Sequence, residues 1–240
     1  MPMNWQNELK AVTFDVFGTV VDWRSSIARE VNSLAEAKGF SVDGTEFASA
    51  WRALYQPAMS RVRSGELSFT RLDVLHRMNL DQVLEQFGIE ELSEAEKQDL
   101  NRAWHRLSPW PDAVRGLTRI KNRFIVGSLS NGNVALIVNM AKHAGLPWDV
   151  VLGAEIAGHY KPQPEAYLKS AGVLDLEPCQ CMLVAAHNSD LLAAAACGFK
   201  TAFVPRPTEY GPDQVTDQSP EADFDIVAED FVELAVHLGC

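Results

Sequence analysis

Asp15 is the first residue of this chain that could do chemistry, because it follows a short apolar run, residues 11–14, that predicts a buried strand. A carboxylate at the end of such a strand can act as a nucleophile when a neighbouring cation keeps it ionised. Thr19, four residues later, brings a hydroxyl that can hold the carboxylate in place. Phe17 stands between them, and its ring has no proton to donate, so this position supplies no general acid.

Three further polar clusters follow apolar stretches along the chain. They are Ser130-Asn131-Gly132-Asn133, His159-Tyr160-Lys161-Pro162 and His187-Asn188-Ser189-Asp190. The carboxyl ends of neighbouring parallel strands meet at one edge of a sheet, so we expect these clusters to converge with Asp15 on one crevice. The second cluster brings a cation, and helices starting at the first and third would direct backbone N–H groups at a bound anion. The pattern predicts an anion-binding site with one nucleophilic carboxylate.

Strand-like and helix-like stretches alternate around these clusters. The apolar, strand-like runs are residues 11–14, 124–129, 149–152, 182–185, 201–204 and 224–227. Two of the helices predicted between them are residues 133–143 and 188–197, each followed by a glycine suited to ending a helix. Near-continuous apolar strands separated by helices predict an α/β fold with a doubly wound parallel sheet.

One region, from about residue 22 to residue 105, has helical periodicity and no convincing strand. Within it, residues 46–62, 70–87 and 93–105 each predict an amphipathic helix. An insert directly after the first strand would cover Asp15. We therefore predict a catalytic core of residues 1–20 and 106–240 and a helical cap of residues 21–105. Residues 205–220 predict one long loop near the same sheet edge.

The net charge and composition limit the kinds of partner that this chain can bind. The formal net charge of −11 over 240 residues disfavours nucleic acid and acidic membranes as partners. Cys179, Cys181, Cys197 and Cys240 lack the paired spacing of a metal site and predict reduced thiols in a cytoplasmic protein. No apolar run approaches the ~20 residues of a membrane span, and the first eight residues lack a signal-peptide pattern. A small molecule is the expected partner.

The polar clusters together resemble the motifs of the haloacid dehalogenase superfamily. Asp15-Val16-Phe17-Gly18-Thr19, Ser130-Asn131, Lys161-Pro162 and an acidic motif ending at Asp190 occur in the family's order. The resemblance covers the whole predicted core and implies a Rossmann-like sheet with an inserted cap. It also implies that Asp15 is the nucleophile, that Lys161 holds its charge and that Asp190 is part of the polar support.

Two positions decide between the branches of this superfamily. Phosphatases of this superfamily carry the pattern Asp-x-Asp in the first motif, in which the second Asp protonates the leaving oxygen. They also tend to have two acidic residues in the last motif, which hold Mg²⁺. This chain has Phe17 and Ala186 at those positions. Halide leaves as a stable anion, so it needs neither a general acid nor a metal ion. The resemblance is therefore to the (S)-2-haloacid dehalogenase branch, and we expect no metal and no other cofactor.

Several residues match that branch and two depart from it. Arg52 resembles the branch's cap arginine that contacts substrate and halide, Tyr167 resembles its tyrosine after the lysine motif, and Phe69 resembles its aromatic pocket residue. Typical members carry Ser and Asn where this chain has Ala185 and His187. The departures lie where the branch positions water, so His187 or its neighbour Asn188 is expected to replace the missing polar group.

The expected reaction has two steps. Asp15 displaces halide from C2 of a short (S)-2-haloalkanoate and forms an aspartyl ester. Water then hydrolyses this ester and releases the (R)-2-hydroxy acid, in which C2 is inverted. Thr19 and Lys161 are expected to hold Asp15. In the substrate pocket, Ser130 is expected to bind the substrate carboxylate, Arg52 and Asn131 to receive halide, and Phe17, Phe69 and Tyr167 to line the pocket, the two phenylalanines as a dry wall. The water that hydrolyses the ester is expected to be held by His187, Asn188 and Asp190.

Two functions of other kinds stay open on the sequence. One is a metal-dependent phosphatase with an altered motif, and the other is a non-catalytic protein that binds small acids. The residues do not fix the range of halogens, fluoride included, the length of the substrate or the stereochemical preference. A homodimer is suggested only by the family resemblance.

Overall fold

Strands and helices alternate along the computed structural model, which describes residues 4–240. The strands are β1 (Ala11–Phe14), β2 (Val21–Asp22), β3 (Ser108–Pro109), β4 (Ile125–Ser130), β5 (Val150–Gly153), β6 (Cys181–Ala185), β7 (Lys200–Phe203) and β8 (Ile226–Val227). The α-helices are α1 (Trp23–Lys38), α2 (Gly44–Ala53), α3 (Tyr55–Arg63), α4 (Leu72–Gln86), α5 (Glu94–Asn101), α6 (Ala113–Lys121), α7 (Val134–Ala144), α8 (Ala154–Ala157), α9 (Pro164–Val173), α10 (Asn188–Ala196) and α11 (Phe231–His237). Short 3₁₀ segments lie at Asn4–Asn7, Arg102–His105 and Pro178–Gln180.

Six strands form one parallel sheet in the order β5-β4-β1-β6-β7-β8. The chain adds strands first on one side of β1 and then on the other. This reversal creates a topological switch point at the carboxyl end of β1, where ligands bind in open α/β sheets. Asp15 follows β1 directly. The sheet confirms the predicted doubly wound, Rossmann-like α/β fold.

Apolar side chains fill both faces of the sheet because they alternate along each strand. Val12 and Phe14 of β1 belong to one buried cluster, which includes apolar residues of α6, α7 and α11. Ala11 belongs to a second cluster with residues of α9 and α10. Helices therefore pack on both faces, as the near-continuous apolar strands predicted.

Five helices, α1 to α5, occupy the chain between β2 and β3, and these two strands pair antiparallel with each other. The helix predicted over residues 46–62 is divided into α2 and α3 at Leu54, since Pro57 has no N–H to donate to the preceding turn. The helix predicted over residues 93–105 ends at Asn101 and continues as a 3₁₀ turn. The division into a core and a cap, at residues 20/21 and 105/106, stays a prediction.

Polar caps fix where the helices of this segment begin. Asp22 accepts a hydrogen bond from the first turn of α1, and Asp43 does the same for α2. Ser93 and Glu96 form a reciprocal capping box at the start of α5. Each such cap contributes about 1 kcal/mol to helix stability. The cap at Asp22 also sets the start of α1 at Trp23, whose indole reaches the functional site.

The loop between β7 and β8 is anchored near the residues that follow β1. Arg206 Nε donates to the carbonyl oxygen of Thr19 at 2.9 Å, and its terminal nitrogens donate to both carboxylate oxygens of Asp112 at 2.8 and 2.9 Å. Burial would raise the pKa of Asp112, but the Arg206 guanidinium outweighs it and lowers that pKa. The bidentate pair holds the loop predicted over residues 205–220 close to Asp15.

No helix within residues 4–240 is both long enough and apolar enough to cross a membrane. The four cysteines are free thiols. The predicted lack of a signal peptide concerns residues 1–3 as well, and these lie outside the described residues.

Arg206→Met should lower the free energy of unfolding by about 3 kcal/mol, because it leaves the Asp112 carboxylate without its buried partner. Urea unfolding at pH 7.5 measures this loss. Lys38→Met is the matched control, because it breaks a pair with Glu96 in which the Lys38 side chain is 34% exposed. The control should lose at most about 1 kcal/mol. Equal losses in the two variants would contradict a structural role for the buried pair.

Candidate active site

Three donors hold the Asp15 carboxylate at the carboxyl end of β1. Lys161 Nζ donates to Oδ1 at 2.9 Å. On the other oxygen, Oδ2, the Thr19 hydroxyl donates at 2.8 Å and His187 Nδ1 lies at 3.1 Å. Thr19 Oγ1 is itself fixed, because it accepts from the backbone N–H of Ala186 at 2.9 Å. Oδ2 therefore meets two donors and Oδ1 one.

Lys161 links Asp15 to a second buried carboxylate, Asp190. Its ammonium also donates to Asp190 Oδ2, and the Tyr167 hydroxyl donates to Asp190 Oδ1 at 2.6 Å. Asn131 fixes the backbone of Lys161, whose N–H donates to the Asn131 Oδ1 at 2.8 Å. The motifs expected at one crevice thus meet around a single ammonium group.

These contacts keep the two central groups charged. Burial would raise the pKa of Asp15, but the Lys161 ammonium and His187 outweigh it and hold that pKa well below the ordinary 3.8. Burial would lower the pKa of Lys161, but Asp15 and Asp190 raise it above its ordinary 10.5. Burial and the neighbouring Asp190 both raise the pKa of Tyr167, which therefore stays a hydrogen-bond donor.

Glu209 is a site residue to which the sequence did not point. Its Oε2 lies 2.9 Å from His187 Nε2, and its Oε1 accepts from Trp23 Nε1 at 2.9 Å. Its contact with Trp23 joins positions 186 residues apart, and the long loop around Glu209 has no periodic pattern. The only available signal was the predicted approach of residues 205–220 to the sheet edge.

A cavity of about 220 Å³ lies against Asp15. The Arg52 guanidinium of α2 faces it, with its central carbon 4.0 Å from the ring centre of Tyr55 and 5.4 Å from that of Trp23. Arg52 Nη1 is buried and has no hydrogen-bond partner within residues 4–240. A buried donor on a permanent cation is suited to receiving an anion. Tyr210 and Asp217 of the β7–β8 loop also line the cavity.

Phe17 is packed edge-on against aromatic rings of the helical segment. Its ring centre lies 5.9 Å from Trp104, 6.3 Å from Tyr55 and 6.4 Å from His76. Burial lowers the pKa of His76 to about 3, so this imidazole is neutral. Phe17 is only 2% exposed yet lines the cavity. It therefore presents an uncharged ring beside Asp15, and its role as a dry wall of the substrate pocket stays a prediction.

Four of the residues expected to contact substrate or water, Ser130, Asn188, Phe69 and Tyr167, are not among the residues that line the cavity beside Asp15. Ser130 is fully buried, and its Oγ accepts a backbone N–H from its own loop at 3.0 Å. Asn188 Nδ2 donates to Asp217 Oδ1 at 2.9 Å and so holds the β7–β8 loop. Phe69 is 36% exposed and packs against Tyr160 at 5.4 Å between ring centres. The contacts proposed for these four residues with substrate or water stay predictions.

The donors around Asp15 bear on the expectation that no metal takes part. Within residues 4–240 no group of three or more His, Cys, Asp or Glu side chains is arranged to hold a metal ion. The Asp15 oxygens face an ammonium, a hydroxyl and an imidazole, whereas Mg²⁺ requires several oxygen ligands. Catalysis without a metal stays a prediction at this point.

Similar proteins place these features in a family. A family model described as haloacid dehalogenase-like hydrolase matches residues 9–198. The (S)-2-haloacid dehalogenase of Xanthobacter autotrophicus is 30% identical over 210 residues, covering 82% of this chain and 76% of that protein. The structure is similar to that of the defluorinating L-2-haloacid dehalogenase Rha0230, at 51% identity, a TM-score of 0.95 and coverage of 97% and 96% of the two chains. It is also similar to the L-2-haloacid dehalogenase PA0810, at 47% identity, a TM-score of 0.94 and coverage of 96% and 99%. These similarities confirm the resemblance drawn from the motifs.

Lys161→Met should destabilise the fold by about 3–5 kcal/mol at pH 7.5, because it leaves Asp15 buried without its main counter-charge. The variant should regain stability at pH 5. The pKa of Asp15 then lies above its unfolded value, so the folded state binds the extra proton as the pH falls. Asp15 of the wild type contributes no such gain over this interval, since its pKa is lowered and it is ionised in both states, so the gain is measured relative to the wild type, which carries the same His76 and His187.

Urea unfolding at pH 7.5 and pH 5 measures both effects. Lys142→Met, which removes an exposed lysine of α7, is the control and should stay within about 0.5 kcal/mol of the wild type. A Lys161→Met protein as stable as the control would show that the ammonium does not balance the buried carboxylates.

Proposed function

Because this chain belongs to the haloacid dehalogenase-like hydrolases, we propose that it hydrolyses short (S)-2-haloalkanoic acids to (R)-2-hydroxy acids through an ester on Asp15 and without a metal ion. The observation that carries the proposal is an ionised, buried Asp15 facing a small cavity that is also lined by Arg52, whose buried Nη1 has no hydrogen-bond partner within residues 4–240. The relatives described above are themselves named as 2-haloacid dehalogenases.

In the first step Asp15 Oδ1 attacks C2 of the substrate. An O–C bond forms, the carbon–halogen bond breaks, the halogen leaves with the electron pair, and C2 is inverted. Oδ1 suits this role because only Lys161 donates to it, whereas Thr19 and His187 engage Oδ2. Arg52 receives the departing halide, because its guanidinium stays charged and is more weakly hydrated than an ammonium.

In the second step water attacks Cγ of Asp15 and cleaves the new ester. The bond between Cγ and Oδ1 breaks, so the former Oδ1 becomes the hydroxyl oxygen of the product. Negative charge develops on Oδ2 in the tetrahedral intermediate, and the Thr19 hydroxyl already donates to that oxygen. Donors fixed in advance stabilise such a charge without reorganising during the reaction.

The size and chemistry of the cavity support the substrate class. Its volume of about 220 Å³ is below the roughly 300–1,000 Å³ of pockets for drug-sized ligands and suits a short acid. Phe17 offers no proton to a leaving alkoxide, which a phosphatase would have to protonate, whereas halide needs none. Lys161 and Arg52 supply fixed positive charge near an anionic substrate.

The helical segment of residues 21–105 acts as a cap in this proposal. It supplies Arg52 and Tyr55 to the cavity. It also contacts the strand-end loops, because Arg63 Nη1 donates to the carbonyl oxygen of Lys161 at 3.2 Å, and the Tyr160 hydroxyl donates to the carbonyl oxygen of Thr70 at 2.6 Å. These contacts hold the segment against the loop that carries the catalytic ammonium.

A single turnover in H₂¹⁸O, with enzyme in excess over (S)-2-chloropropionate, should place ¹⁸O on the Asp15 carboxylate and leave the product hydroxyl unlabelled. The reason is that water attacks Cγ and the product takes its oxygen from Asp15. Mass spectrometry of the Asp15 peptide and of the released acid measures both. Asp15→Asn should release no halide initially. Label found only in the product would mean direct attack by water and would contradict the ester.

Halide release from (S)-2-chloropropionate should be unchanged, within about twofold, after dialysis against EDTA, because fixed cations rather than a metal balance the charges of Asp15 and the substrate. p-Nitrophenyl phosphate with added Mg²⁺ should not be hydrolysed. Ion chromatography and absorbance measure the two activities. Loss of halide release on chelation, restored by Mg²⁺, would favour the phosphatase alternative, and an absence of both activities would favour a non-catalytic binder.

A further inference from the structure

Glu209 is a buried carboxylate next to the active site, and hydrogen bonds fix its position. It is 1% exposed, and its carboxylate joins the Trp23 indole to His187. The carboxylate lies over Gly18, where an added Cβ would come within 2.0 Å of Oε1. Gly18 has φ +87°, so glycine suits both the turn and the close approach of Glu209. The β7–β8 loop thus delivers one specific carboxylate to the far side of the His187 ring.

His187 lies between two carboxylates, one at each ring nitrogen. Nδ1 faces Asp15 Oδ2 at 3.1 Å, and Nε2 faces Glu209 Oε2 at 2.9 Å. Ionised carboxylates only accept hydrogen bonds, so both nitrogens must donate and the ring is an imidazolium. Burial would lower the pKa of His187, but Glu209 and Asp15 raise it well above 6.5. The Tyr210 hydroxyl also lies near His187, and the Lys161 ammonium and the Arg52 guanidinium both interact with Asp15.

Resting on the proposed function, we propose that His187 is the general base of ester hydrolysis, that Glu209 is its positioning residue, and that the charge of Asp15 sets the protonation state of His187 in each half of the cycle. The imidazolium of the resting enzyme is then the state that hydrolysis leaves behind.

The protons balance over the two steps. When Asp15 is alkylated and halide departs, its negative charge is lost, so Nδ1 no longer faces an anion and releases its proton to solvent through the cavity that His187 lines. Neutral His187, still bonded to Glu209 through Nε2, then takes one proton from the water that attacks Cγ. The second proton of that water, left on the new Cγ–OH group, passes to the departing Oδ1 as the Cγ–Oδ1 bond breaks. The products are the 2-hydroxy acid, the Asp15 carboxylate and His187 as imidazolium again. The sum is one halide and one proton per substrate hydrolysed.

Other groups around Asp15 are less suited to this task. Lys161 has no lone pair while protonated, and its pKa is raised above 10.5 by Asp15 and Asp190 in spite of burial. Both oxygens of Asp190 are already engaged, one by Lys161 and one by Tyr167. His187 Nδ1 is the ring atom next to the carboxyl group that water must attack. Glu209 fixes which nitrogen keeps its proton, which directs Nδ1 toward that water.

The test is Glu209→Gln, which keeps the shape of the side chain and removes its charge. We expect a burst of one halide per enzyme at a rate within about threefold of the wild type, followed by turnover slowed about 10- to 100-fold, part of the roughly 10²–10⁴-fold that general bases contribute. The Asp15 ester should accumulate and appear by mass spectrometry after an acid quench. Asp213→Asn, an exposed carboxylate of the same loop, is the matched control and should behave as wild type.

A pH profile separates positioning from a merely structural role. The single-turnover rate of ester hydrolysis in the wild type should fall toward acid pH, where His187 of the ester form stays protonated. In Glu209→Gln this limb should move to lower pH, because the loss of a carboxylate lowers the pKa of His187. His187→Gln is the second variant, should Glu209→Gln fold poorly, and it should accumulate the ester with no such limb.

The outcomes distinguish this inference from the proposed function. If the wild type releases halide but Glu209→Gln and His187→Gln both hydrolyse the ester at the wild-type rate, the roles of Glu209 and His187 are wrong and the proposed function stands. If both variants slow the burst and ester hydrolysis equally with an unmoved acid limb, the residues are only structural. If the wild type forms no ester at Asp15, the proposed function itself fails.

Discussion

The ammonium of Lys161 lies between the carboxylates of Asp15 and Asp190, and all three groups are buried. Asp15 could not stay ionised at this depth alone, because an unpaired buried charge costs several kcal/mol. The surrounding structure serves to hold this arrangement. Tyr167 takes the second oxygen of Asp190, Asn131 fixes the backbone of Lys161, and the parallel sheet brings the carrying loops to one edge. The nucleophile therefore exists as an anion only because residues distant in sequence meet there.

The β7–β8 loop is a third wall of the site, beside the strand ends and the helical segment. Arg206 ties its start to the carbonyl oxygen of Thr19, and Glu209 reaches both Trp23 and His187. Asn188, expected beside the ester, instead contacts Asp217 and holds the far part of the loop. A loop without regular structure can position a carboxylate only when its backbone is anchored on both sides of that residue. Here buried charge pairing supplies the first anchor and an amide side chain the second.

The parts of the site that follow strand ends were predictable from the sequence, because strand periodicity and the edge rule of parallel sheets place Asp15, Lys161 and Asp190 without knowledge of packing. Glu209 was not predictable, since nothing local distinguishes it from the other acids and its partner Trp23 is 186 positions away. Ser130 shows a second limit of prediction from sequence. Its hydroxyl oxygen accepts a backbone N–H of its own loop, which leaves the O–H to donate elsewhere, and residue spacing does not show which partner that O–H takes.

Phe17 is held edge-on by Trp104 and Tyr55, which lie outside the motif that contains it. An aspartate introduced there would lose these edge-on contacts and place a carboxylate against aromatic rings and a neutral His76. A single substitution at this position would therefore not convert an enzyme that cleaves carbon–halogen bonds into one that cleaves phosphate bonds. A lineage moving between these chemistries would have to alter the aromatic packing of the inserted helices together with the motif. The choice of reaction therefore depends partly on the packing of a segment that takes no direct part in bond breaking.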